Sequence, residues 1–228
     1  VSMSATFGTL VMARLLDGVA LLMLLAVALT LPSFPEGATV MGQPVAAFAS
    51  TGGALFTGLL LVLFVMILWP DRTMGLGRWV AGILPEPWGE RAVSMLGAFL
   101  DGIAALRNPV LLGKALLLSI VHWAYFGLSF WLGLAAFGIH VGYVGALFTQ
   151  AIVAVGVSIP SAPGFFGTWH TAAQVALVGP YGVDETQALA FATGYHLGGF
   201  IPITLIGFYY AWKLGISIKG ATPETEES

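Results

Sequence analysis

Apolar runs of about 20 residues recur along this chain, each long enough to cross roughly 30 Å of hydrocarbon, and between them there is too little charge to make a polar shell. "LLDGVALLMLLAVALTLPSF" (Leu15 to Phe34) is the first of these runs and "ALAFATGYHLGGFIPITLIGFYYAW" (Ala188 to Trp212) includes most of the last. Only 8% of the 228 residues are charged and 58% are hydrophobic, against about a quarter charged in an ordinary soluble domain. The reading that follows is an all-α, polytopic transmembrane bundle.

Further spans are expected over about residues 45–69, 112–139 and 186–212, with two shorter apolar pieces at 143–159 and 164–178. The second span closes on Trp69, Pro70, Asp71 and Arg72, an aromatic and charged exit of the kind found at a membrane surface. Over 88–107, Ala92, Val93, Leu96, Phe99, Leu100, Ile103 and Leu106 follow the helical period while Glu90, Ser94 and Asp101 turn away. That pattern predicts an amphipathic helix lying on the membrane or against the bundle. Residues 1–219 read as one transmembrane domain and 220–228, "GATPETEES", as a disordered acidic tail.

Lysine and arginine concentrate between Arg72 and Lys114 and after Trp212, which assigns both regions, the C-terminal tail included, to the cytoplasmic side. The chain starts on Val1 with no charged leader or cleavage site, and upstream helices are expected to be missing. A net charge of -3 and the lack of a basic patch argue against nucleic acid as a partner. With no cysteine, disulfide, thiolate and cysteine-metal chemistry are excluded.

The two short pieces are separated by "SIPSAPGFFGTWH", Ser158 to His170. Every backbone polar group in hydrocarbon must be paired, so a break at depth survives only inside protein or beside a wet cavity. Pro160 and Pro163 stop the helix, Gly164 and Gly167 allow tight turning, and the new helix begins with free N–H groups that attract anions. Such Pro/Gly-interrupted segments, crossing or re-entrant, are the sequence pointer to a binding site in transporters.

His170 lies in the first turns of the new helix with Gln174 four residues on, and the last span adds Thr193 and His196. Arg14 and Asp17 share a face near the start of the first span. Ionisable groups in a bilayer face a cavity or one another. Plainer readings stand beside these. The Pro/Gly cluster also fits a packing kink, and the two histidines fit hydrogen bonding between helices. His122 with Tyr125 and Ser129 fits interhelical glue, and Arg14 with Asp17 a snorkelling charge and its partner. Gly194 and Gly198 form a weak close-packing motif.

Catalytic and metal patterns are missing. No H-E-x-x-H, G-x-S-x-G, Walker or dinucleotide motif occurs. No cofactor and no catalytic residue is expected, and the chain reads as a non-enzyme.

Three blocks in order, "VMARLLDGVALLMLL", "SIPSAPGFFGTWHTAAQVAL" and "ALAFATGYHLGGFIPITLIGFYYAW", resemble the flippase-like membrane domain family, the transmembrane region of lysylphosphatidylglycerol synthases and of stand-alone prokaryotic inner-membrane relatives. The family's arginine and aspartate are matched by Arg14 and Asp17. Its P-G-x-x-G followed by a Glu, or in one branch a His, is matched by Pro163, Gly164, Gly167 and His170, and its tyrosine-histidine pair by Tyr195 and His196. The resemblance implies lipid handling in a prokaryotic cytoplasmic membrane. A flippase or lipid-binding transporter would hold an anionic phospholipid or polyprenyl-linked glycolipid with the break, His170 and Arg14. The other expectation is a non-transporting scaffold for a glycosyltransferase or lipid-modifying enzyme, docked through the amphipathic segment. The family's soluble aminoacyl-transfer domain has no counterpart in these residues.

Overall fold

The computed structural model describes residues 3–104, 108–158 and 161–215. Pro160, Leu106 and the tail after Gly215 fall outside them. Eight α-helices account for nearly all of this: α1 Met3–Thr30, α2 Val45–Leu68, α3 Pro70–Ala81, α4 Glu86–Ile103, α5 Pro109–Ala136, α6 Gly142–Val157, α7 Thr168–Tyr181 and α8 Glu185–Lys213. Two-residue strands β1 (Thr39–Val40) and β2 (Gln43–Pro44) pair antiparallel in the loop after α1.

Among the described residues, three helices are long and apolar enough to cross a membrane, over Met12–Thr30, Pro109–Ala136 and Glu185–Lys213. A fourth is counted if the bent pair Leu60–Leu68 and Pro70–Ala81 is taken as one span. Caps explain two of the boundaries. Asn108 Oδ1 accepts from the Val110 and Leu111 amides at the start of α5, and Asp184 Oδ1 accepts from Thr186 and Gln187 at the start of α8.

Several expected boundaries move. The first span ends at Thr30, not Phe34, because residues 31–38 turn toward the β-hairpin. The predicted amphipathic helix at 88–107 corresponds to α4, which starts at Glu86, and a separate α3 precedes it where the sequence predicts no helix beyond the charged exit at Trp69 to Arg72. One face of α4 packs against α1 and α3, with Leu100 and Ile103 buried, while Trp88 and Met95 stay exposed. The helix expected from Gly164 begins only at Thr168, preceded by a single 3-10 turn over Pro163–Phe165.

The core lies where α5, α6, α7 and α8 meet, around the fully buried Phe130, Phe148, Phe191, Leu134 and Leu177. In lipid, apolar burial drives helix association weakly, so close packing of small residues carries more of the work. Gly156 of α6 shows this: a Cβ there would lie 2.5 Å from the Ala172 Cβ of α7. Phe34, from the loop after α1, meets Phe148 and Tyr181 edge-on and closes the outer end of the α6–α7 pair.

α6 and α7 form an antiparallel hairpin: Gly145 lies against Tyr181 at one end and Gly156 against Ala172 at the other. With 16 and 14 residues they extend only about 24 and 21 Å, short of roughly 30 Å of hydrocarbon. α8 runs on for 17 residues past His196, or about 26 Å beyond the level of the hairpin turn. The pair is therefore shorter than the helices beside it, and its turn sits level with the middle of α5 and α8.

Candidate functional site: the tip of the α6–α7 hairpin

The tip is held by local polar bonds. The Phe165 amide donates to the Ala162 carbonyl at 2.9 Å, and the Thr168 hydroxyl bonds Ser161 Oγ at 3.1 Å and the Phe165 carbonyl at 3.2 Å. On the α6 side the Ser158 hydroxyl returns to the Ala154 carbonyl at 2.8 Å. Gly164 (φ 75°), Phe165 (φ 58°) and Gly167 (φ 93°) all take positive φ. Glycine adopts this freely, but for a bulky side chain such as Phe165 it is strained.

Gly167 is the N-cap of α7, and His170 at the third helical position folds back so that its Nδ1 accepts the Gly167 amide at 3.4 Å. A neutral His170 then carries its proton on Nε2. Trp169 and His196 lie next to it. The His196 ring stacks on Trp169 at 5.2 Å and 7°, and stands edge-on to His170 at 5.2 Å. Phe166 covers both imidazoles, at 5.2 Å from His196 and 6.1 Å from His170. His196 is 8% exposed, and its buried Nδ1 meets no hydrogen-bond partner among the described residues. Tyr195 stacks on Trp169 and shares a 2.8 Å hydrogen bond with Ser129 of α5, so the glue expected of Ser129 is real. Tyr125 of the same expected trio is exposed, and His122 stacks on Phe126 of its own helix.

On the other flank of the tip, a cavity of about 700 Å³ is bounded by Arg14, Asp17, Gly18, Leu21 and Leu22 of α1, Gly52 of α2 and Trp123 of α5. Ala154, Val155 and Val157 of α6, with Ser158 and Phe165, complete it. Arg14 and Asp17 form an ion pair at 3.7 Å, and Asp17 also accepts the Ser119 hydroxyl of α5 at 2.9 Å. The carboxylate is thereby fixed from two sides while the guanidinium stays exposed.

The structure therefore divides the residues expected to act together. His170, Tyr195 and His196 belong to the aromatic cluster; Arg14 and Asp17 belong to the cavity, which neither histidine lines. Gln174 sits one turn along α7, half-buried. Pro163 and Gly164 form the tip itself, and a Cβ on Gly164 would sit 3.0 Å from the Phe200 ring. Of the glycine motif in α8, Gly194 faces Phe137 closely, whereas Gly198 has open space. Sequence reasoning missed Ser119, Trp123, Phe165, Phe166 and Trp169. Ser119 lies one turn from His122 and carried a faint signal; the aromatics read as ordinary membrane apolars.

Long apolar helices around a short helical hairpin, with charge confined to one flank of its tip, define an integral membrane protein. The chain belongs to the family described as the lysylphosphatidylglycerol synthase TM region, whose family model matches residues 1–207. It is thus a membrane domain of a lipid-related family. No curated protein and no solved structure matches it.

Proposed function

We propose that this domain binds the headgroup of an anionic lipid beside the hairpin tip and carries it between leaflets, with the acyl chains left in the bilayer. The observation that supports the reading is the 700 Å³ cavity joining Arg14 and Asp17 to Ser158 and Phe165. A guanidinium offers five N–H donors in a fixed fork suited to phosphate. An arginine this near a span faces the membrane surface or a cavity, and Arg14 lines one. Asp17, held by Ser119, keeps Arg14 oriented without neutralising its exposed donors. The apolar remainder of the lining, Leu21, Leu22, Ala154 and Val157, suits the first carbons of a lipid tail.

His170 and His196 take a different part from the one first expected. His170 caps α7 and His196 packs against it, so both position the tip, and the headgroup is left to Arg14. The substrate class is an anionic phospholipid or polyprenyl-linked glycolipid in a prokaryotic cytoplasmic membrane. The α3–α4 end and the C-terminal tail face the cytoplasm under the positive-inside rule. The domain acts without catalysing a reaction. The scaffold alternative has less support, because Leu96 and Phe99, the face it would use, are partly covered within the α1–α3–α4 packing.

Reconstituted vesicles test the proposal. Headgroup-labelled phosphatidylglycerol should cross faster with the protein than without it. Arg14→Gln should slow that crossing by about tenfold, the factor for ~1.4 kcal/mol of lost charge-assisted hydrogen bonding. Equal rates with and without protein, or an unchanged rate in Arg14→Gln, would falsify the transport reading.

A further inference from the structure

α2 and α3 meet at Trp69 and Pro70 with a bend of 107°. With α2 upright in the bilayer, that bend lays α3 close to the membrane plane at the end of the apolar segment. One side of α3 is occupied: Gly77 receives Leu96, and Ala81 lies over Gly89, where a Cβ would come within 2.7 Å of the Ala81 carbonyl. The other side is bare. Leu76 is 62% exposed, Trp79 70% and Ile83, in the turn to α4, 74%. At 100° per residue, Arg72, Leu76 and Trp79 share one narrow stripe of α3, and Ile83 continues its line. Leu84 and Trp88 extend the exposed apolar surface around the turn.

Such a surface would be a liability in water. Here its position and charge indicate what covers it. Trp79 and Trp88 are residue types that settle at the headgroup level. Arg72, Arg78 and Arg91 are exposed, and no ion pair engages them among the described residues. Apolar tip, tryptophans and free guanidiniums together complement the acyl boundary of a leaflet rich in anionic lipid.

We infer that the α3–α4 hairpin is an interfacial paddle that seats Leu76, Trp79 and Ile83 in one leaflet and gathers anionic phospholipid around Arg72 and Arg78. It is a lipid-contacting surface separate from the cavity at the hairpin tip. Its role is to enrich anionic lipid next to the bundle whether or not the domain transports it.

The chain has no cysteine, so a fluorescent reporter can be placed singly at Trp79→Cys, Ile83→Cys or Glu86→Cys, all exposed positions whose replacement leaves the packed side of α3 intact. The full chain is reconstituted in vesicles of phosphatidylcholine, with or without phosphatidylglycerol, and helical circular dichroism verifies folding. Reporters at 79 and 83 should be quenched by lipids brominated on their acyl chains and shielded from iodide, while the reporter at 86 should be open to iodide. At equal mole fraction, brominated phosphatidylglycerol should quench the reporter at 83 more than brominated phosphatidylcholine. Arg72→Gln should cut that preference by roughly fivefold, the factor for one basic residue near an anionic surface. Iodide reaching 79 and 83 as readily as 86 overturns the paddle. Equal quenching by the two brominated lipids overturns its anionic preference. Shielding that develops only when a soluble protein fraction is added overturns it in favour of a protein-docking face.

Discussion

The α6–α7 tip and the α2–α3 elbow are both sharp departures from the helical path, and they differ in what they require. At the tip, Gly164, Phe165 and Gly167 take positive φ, the Phe165 carbonyl and the Gly167 amide are met by Thr168 and His170, and Ser161 in turn accepts from Thr168. α6 and α7 then pack on each other and on α5 and α8. At the elbow the hydrogen bonding hardly stops: the Trp69 amide still donates to Val65 at 2.9 Å, and the Thr73 amide donates to Trp69 at 3.0 Å. Pro70 has no N–H to lose. A turn of 107° thus arises with little loss of backbone pairing, and α3 is left with one side bare. A break that demands many special residues is locked by its neighbours, while one that demands a single proline is free to be shaped by the lipid around it.

Substitutions that add volume should separate the two regions most strongly. Gly156→Val would force α6 away from Ala172 and should cost about 1–3 kcal/mol by overpacking. That lowers the unfolding midpoint in detergent by several degrees, at about 2–4 °C per kcal/mol. Gly75→Val, on α3 with open space around its Cα, should stay within about 0.5 kcal/mol of the parent. Equal losses in the two variants would abolish the contrast between locked tip and free elbow.

A subtler change acts on backbone conformation. Gly164→Ala puts a Cβ on a residue at φ 75°, beside the Phe200 ring, and should cost about 1–2 kcal/mol. A midpoint identical to the parent would mean that the tip relaxes as easily as the elbow. Below that comes Ser129→Ala, which removes the tie to Tyr195 and should lose about 0.6 kcal/mol, a usual value for a hydrogen bond between membrane helices. Smallest of all, Trp79→Ser should leave the midpoint within about 0.5 kcal/mol. A drop comparable to that of Gly164→Ala would show that Trp79 is packed against protein.

Much of the helical frame was legible in advance. Asn108 and Asp184 are cap residues directly before apolar runs, and α2, α5 and α8 start or end within three residues of the expected positions. α3 was not legible, since a stretch carrying Asp71, Arg72 and Arg78 among glycines resembles a loop until Leu96 and Gly89 supply the surface on which it folds. The start of α7 was misplaced by four residues because Gly164 and Gly167 promised flexibility without saying which would take the left-handed conformation. The site was legible as a set of residues but not as an arrangement. Asp17 and Ser119 stand 102 positions apart, and no local pattern records that they touch.

Taken alone, the order of residues determined that this chain lives in a bilayer, where its helices run, and that one of them is interrupted by prolines and glycines. Those outcomes follow from transfer free energy and backbone stereochemistry, which act over a few neighbouring residues. Tertiary packing alone decided that the two short helices fold back on each other as a hairpin, that His170 and His196 face aromatic rings while Arg14 faces a cavity on the opposite flank, and that α3 keeps a bare side. Each of these depends on the register between helices distant along the chain, which is set by how their side chains interlock.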